Sequence, residues 1–152
     1  MDDLEYRPPV SSLLNYGSCL DLDRKNRQNK NDILSKVLHL GDVDILSEYP
    51  ARVRIKYWPD YPEEFGLTQA DIPELIRMAV DLDLSYESDP DSSEIWAPVH
   101  AWRALGLLRA DAAPEPLIEL FSEEDNDWTL EEIPWVLGLI GTPAIGPTVA
   151  YL

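Results

Sequence analysis

Two tryptophans, Trp96 and Trp128, stand 32 residues apart, and the segments behind them share a pattern at the same offset. Leu105-Gly106-Leu107-Leu108 matches Leu137-Gly138-Leu139-Ile140. After a one-residue deletion, Ala113-Pro114-Glu115-Pro116 aligns with Ala144-Ile145-Gly146-Pro147, and Leu120-Phe121 with Tyr151-Leu152. Each unit reads as a helix ending in a Leu-Gly pair, a tight turn, and a second helix that carries proline in its first turn. A missing N–H costs nothing there. A unit of this size cannot bury its apolar face alone and must stack on a neighbour. Gly106 and Gly138 are expected to let two helices approach closely.

Apolar spacing extends the helical reading. Ile72, Leu75, Ile76, Ala79, Val80 and Leu82 form one stripe over 68–82, at the 3.6-residue period. Thr68-x-x-Asp71 precedes it as a capping signal, with Asp71 a second candidate N-cap and Pro73 in the first turn. Residues 95–110 and 114–121 read as further helices. Thr129-x-x-Glu132 reads as a capping box opening a helix through Ile140, which Gly141 stops. Residues 143–152 begin another amphipathic helix. Residues 31–40 have helical spacing after Asn31 or Asp32 and before Gly41. In 43–60, Arg52-Val53-Arg54-Ile55-Lys56-Tyr57 alternates like a strand. No partner strand is evident, so a helix or an extended segment packed on helices is preferred. Residues 81–94 and 122–128 read as acidic loops.

The stretches Ala104-Leu105-Gly106-Leu107-Leu108-Arg109-Ala110-Asp111-Ala112-Ala113 and Leu137-Gly138-Leu139-Ile140-Gly141-Thr142-Pro143-Ala144-Ile145 resemble HEAT-like repeats. They are closest to the short-turn type of phycobilisome-lyase-like repeat proteins. The resemblance covers about 95–152, and 68–82 more loosely. It implies an all-α fold: a short α-solenoid of HEAT-like helical hairpins with a less regular N-terminal region. Three regions follow: a polar, partly disordered segment 1–30, a helical or irregular region 31–67, and HEAT-like repeats 68–152. The matching positions are core and turn positions, so they carry no activity.

Charge narrows the functional classes. The chain has 29 acids and 12 bases, a net charge of −17. Residues 1–60 carry 9 bases and 10 acids, whereas 61–152 carry 3 bases and 19 acids. Nucleic-acid binding needs clustered Lys and Arg, and an anionic membrane would repel such a surface. No nucleic-acid or membrane role is therefore expected. The N-terminus is acidic and lacks a signal-like apolar run, and Cys19 is the single cysteine. Both features fit a cytoplasmic protein.

Catalytic and ligand signals are weak. Cys19 has no histidine near it in sequence. His39 and His100 lack a second ligand at metal spacing and read as structural. From Asp83, the residues Ser85, Glu87, Asp91 and Glu94 fall at calcium-loop positions. Ser88 stands where that loop needs glycine, and Pro90 stands at its central apolar position, so a solvated loop is the better reading. There is no phosphate loop and no nucleophile elbow. The chain is read as a non-enzyme with no cofactor and no metal site.

What remains is a binding role. Aromatic side chains anchor interfaces, which makes Tyr57, Trp58, Tyr61 and Phe65 candidate partner-binding residues, with Trp96 and Trp128 at helix entries. The same Tyr57–Phe65 run could instead fold over the helical stack and shield it. The expected function is a protein-interaction scaffold with an acidic surface and a basic protein partner. Two other readings fit the same residues. One is a lyase or chaperone-like role on a chromophore protein, implied by the repeat subtype. The other is an acidic neutraliser, of immunity or antitoxin type, of a basic enzyme. The segment 143–152 is nearly free of charge, so its outer side is expected to be an open apolar end. A further repeat or a second copy would cover it. A whole chain of this kind is expected to form a two-fold homodimer through the C-terminal repeat.

Overall fold

The computed structural model describes residues 50–81, 83–86, 91–123 and 127–152, together with Val37 and Leu40. Every regular element among them is helical, as the periodicity demands. The α-helices are α1 (Ala51–Arg54), α2 (Tyr61–Phe65), α3 (Ile72–Ala79), α4 (Asp83–Tyr86), α5 (Ala97–Leu107), α6 (Pro114–Glu123), α7 (Asp127–Ile140) and α8 (Thr142–Tyr151). Short 3-10 turns cover Ile55–Tyr57, Gln69–Asp71 and Ser93–Trp96. Cys19, His39, the 31–40 helix (apart from Val37 and Leu40), the 1–30 segment and the middle of the 81–94 loop lie outside the described residues.

The central element is α5. It touches α3 on one side and α7 on the other, and α2 also packs on it. A helix covered on all sides is apolar all round, and ten of the eleven residues from Ala97 to Gly106 and Leu107 are buried, Leu107 alone being half-exposed. Gly106 makes the α5–α7 contact possible. A Cβ placed there would meet Val136 Cγ1 and Leu139 Cδ1 at 3.3 Å. Trp102, 1% exposed, donates its indole N–H to the carbonyl of Ala79 at 2.8 Å. It thereby satisfies one of the carbonyls that the end of α3 leaves without an intrahelical partner. A second contact pair joins α6 to α8, and α6 also touches α7.

Local chemistry sets the ends. Thr68 accepts from the Ala70 N–H at 3.3 Å, and its own N–H donates to the Asp71 carboxylate at 2.7 Å. The predicted Thr68–Asp71 box therefore forms, with Asp71 as its far member. At the end of α5, the Ala110 N–H reaches the Leu105 carbonyl (3.0 Å) and the Arg109 N–H reaches Gly106 (3.1 Å). This is the Schellman pattern, closed by Arg109 at φ +52°. Gly141, 32 residues later, also has positive φ, +84°, and separates α7 from α8.

The alternating 52–57 stretch is helical, in line with the reading of a helix or extended segment over a strand, and its Arg54 reaches α7. Two expectations change. The acidic 81–94 stretch contains α4 and the 3-10 turn that Ser92 caps by accepting from the Glu94 N–H at 3.2 Å. Thr129 does not cap its helix: α7 starts at Asp127, and Thr129 lies buried within the first turn.

Candidate functional site

The most polar part of the interior lies where α1, α5 and α7 meet. Arg54 on α1 is 1% exposed, Arg103 on α5 is 5% exposed, and Glu132 on α7 is fully buried. Arg103 grips the Glu132 carboxylate with both arms of its guanidinium, Nε to Oε2 at 3.0 Å and Nη2 to Oε1 at 2.8 Å. Arg54 Nε lies 3.2 Å from Glu132 Oε1, and its Nη2 donates to Glu131. Among the described residues, two cations therefore share two carboxylates, one sealed and one half-exposed, and their charges balance. That balance is what allows charges into an apolar interior. This is why Glu132 does not close a capping box with Thr129. Two guanidiniums hold the carboxylate more strongly than one backbone N–H would, and Thr129 Oγ1 is left without a partner among the described residues.

The aromatic candidates are distributed around this cluster. Arg54 stacks over the Trp128 ring (4.8 Å to the centroid) and Arg103 over Trp58 (5.0 Å). Both contacts are in cation–π range. Trp96 meets Trp128 edge to face with centroids 5.5 Å apart. Tyr61 is fully buried, shares a 2.6 Å hydrogen bond with His100 Nδ1, and lies 5.9 Å from Phe65. Burial pushes its hydroxyl pKa well above the ordinary range, against a weaker opposing pull from Arg103.

Tyr61 is thus a core residue and not a surface anchor. Trp58 and Phe65 are half-buried against the core, as are Trp96 and Trp128. Tyr57, 65% exposed, is the member of the set that faces outward. The run folds onto α5 as Asp60 caps α2, its side chain accepting from the Glu63 N–H at 3.2 Å while Glu64 accepts from the Asp60 N–H at 3.0 Å. Asp60-Tyr61-Pro62-Glu63-Glu64 carries a helix-start signal that the aromatic reading passed over. Arg54, Arg103 and Glu132 were also missed. A usable signal was Arg103 itself, the single charged residue in an otherwise apolar helix, which requires a buried counter-charge.

The outer surface is a different environment. Of the three bases in 61–152, Arg103 is sealed on Glu132, Arg77 is paired with Glu74 at 3.2 Å, and Arg109 is exposed. Exposed acids face outward from several elements, including Asp111, Glu115 and Glu119, spaced four apart on and just before α6. His100 is buried on Tyr61, and among the described residues no group of three His, Cys, Asp or Glu could hold a metal ion. No helix among them is long and apolar enough to cross a membrane. Comparison with family models, curated proteins and solved structures returned no match.

Proposed function

We propose that this protein is a protein-binding scaffold, a short HEAT-like α-solenoid whose acidic outer surface receives a basic protein partner. The observation that carries the partner's chemistry is the fate of the cations. Arg103 is consumed inside by Glu132 and Arg77 is tied to Glu74, so among the described residues of 61–152 Arg109 is the exposed base set against exposed acids such as Asp111, Glu115 and Glu119. Such a surface attracts a basic protein over long range and raises its association rate.

Support for the solenoid arrangement comes from contacts between residues that the repeat makes equivalent. Trp96 touches Trp128, with ring centroids 5.5 Å apart. Arg109 and Gly141 share positive φ at the same offset. Equivalent residues meet in this way when each repeat stacks on the next.

The test is affinity capture with the immobilised protein at about 0.05 M and about 0.5 M salt, with retained proteins identified by mass spectrometry. The Debye length shrinks severalfold over such a range. A basic protein held at low salt and released at high salt is expected. The triple variant Asp111→Asn, Glu115→Gln, Glu119→Gln should slow its association. Retention that ignores both salt and these substitutions would overturn the acidic-surface reading.

A further inference from the structure

The segment from Ile133 to Leu152 contains no charged residue, in a chain where 27% of residues are charged. It forms the end of α7 and all of α8, and its outer face is open. Ile145 is 61% and Val149 67% exposed. Between them and α7 runs an open groove of about 470 Å³ lined by Leu137, Gly138, Gly141, Ala144, Ile145 and Val149, with Thr148 as its polar edge. Among the described residues, nothing lies within 4 Å of where a Cβ on Gly138 would stand. At the equivalent position one repeat earlier, the Gly106 notch is filled by Val136 and Leu139 of the neighbouring helix. Gly138 is the same notch without its knob.

We propose that this face pairs with the same face of a second copy of the chain about a two-fold axis. Ile145 and Val149 of each copy would seat over Gly138 of the other. Two observations select a second copy as the occupant. First, a two-fold interface must carry knob and notch on one patch, and this patch carries both: β-branched side chains on α8 one helical turn apart, and a glycine notch on α7. Second, a copy bearing a net charge of −17 is repelled by its twin across acidic surfaces. Here it meets twenty consecutive uncharged residues. Apolar surface of this kind on an otherwise charged protein marks an interaction site.

Sedimentation of the full chain tests the pairing. At about 100 µM the expected mass is twice the 17.3 kDa of the chain, and the dimer should tighten as salt rises, because screening removes the repulsion between copies. That response is opposite in sign to the one expected for a basic partner, so the two readings can fail separately. Ile145→Glu places a charge at the centre of the face and should weaken the dimer by more than about 100-fold. Ile145 is exposed in the single chain, so at concentrations low enough for the wild type to be monomeric the variant should match its helical circular dichroism and thermal midpoint. Ala70→Glu adds the same charge at an exposed site before α3 and should leave the dimer nearly unchanged. A wild-type chain that stays at 17.3 kDa at about 200 µM, a ladder of larger species, or equal weakening by both variants would each overturn the proposal.

Discussion

Replacing Glu132 with glutamine isolates the charge of the buried cluster, because the two side chains have nearly the same shape. In the native chain the Glu132 carboxylate is fully buried. It accepts two hydrogen bonds from Arg103, at 2.8 and 3.0 Å, and sits 3.2 Å from Arg54 Nε. Glutamine removes the negative charge and sets an NH2 donor against guanidinium donors, so Arg103 loses the carboxylate that both its arms hold and Arg54 loses one of its partners. Breaking a buried pair from one side costs about 3–5 kcal/mol. That is a large share of the roughly 5–15 kcal/mol that holds a domain folded. At roughly 2–4 °C per kcal/mol for a chain of this size, the melting midpoint should fall by about 10 °C. Urea denaturation followed by tryptophan fluorescence and circular dichroism measures the loss, with an unchanged slope showing that the folded and unfolded states are otherwise alike. Glu131→Gln is the internal comparison. Its side chain is 52% exposed, so its pairing with Arg54 is worth at most about 1 kcal/mol. If Glu132→Gln costs less than about 1 kcal/mol, or no more than Glu131→Gln, the cluster does not clamp α1 and α5 to α7.

Thr129→Val removes a buried hydroxyl that has no partner among the described residues, so stability should hold or rise by up to about 1 kcal/mol; a denaturation midpoint that falls would show that the hydroxyl is bonded. The two repeat glycines should respond in opposite directions at low protein concentration. Gly106→Leu would drive a side chain into Val136 and Leu139 and cost about 1–3 kcal/mol, whereas Gly138→Ala, in open space within a helix, should add about 0.5–1 kcal/mol; urea midpoints decide both. The Tyr61 hydroxyl, raised by burial above its ordinary pKa of 10.0, is deprotonated in the unfolded chain before the folded one. Stability is therefore intact below about pH 10 and falls as pH rises beyond it. Tyr61→Phe should flatten that slope in pH-dependent denaturation, after losing about 1 kcal/mol with the His100 hydrogen bond.

Whatever depends on neighbours along the chain was legible in the residues. Stripes three and four apart place α3, α5 and α7, the Thr68–Asp71 box forms as its spacing requires, and Gly141 ends α7 because only a residue tolerant of φ +84° fits there. The helical class follows from such local rules, since hydrogen bonds within a helix close over four residues. The glycine at 106 was legible for the same reason, as part of a repeated pattern. Tertiary structure decided the matters in which several residues of one type compete for a role. Arg103 had to find a carboxylate, and with 29 acids in the chain only the crossing of α5 and α7 selects Glu132. Once that pair forms, Thr129 loses its capping partner and lies inside α7. The aromatic run shows the same limit. Tyr61 and Tyr57 sit four residues apart in one segment, yet one is sealed on His100 and the other is 65% exposed. Composition gives both the same affinity for an interface, and which of them faces water is set by the surface of α5 against which α2 comes to rest.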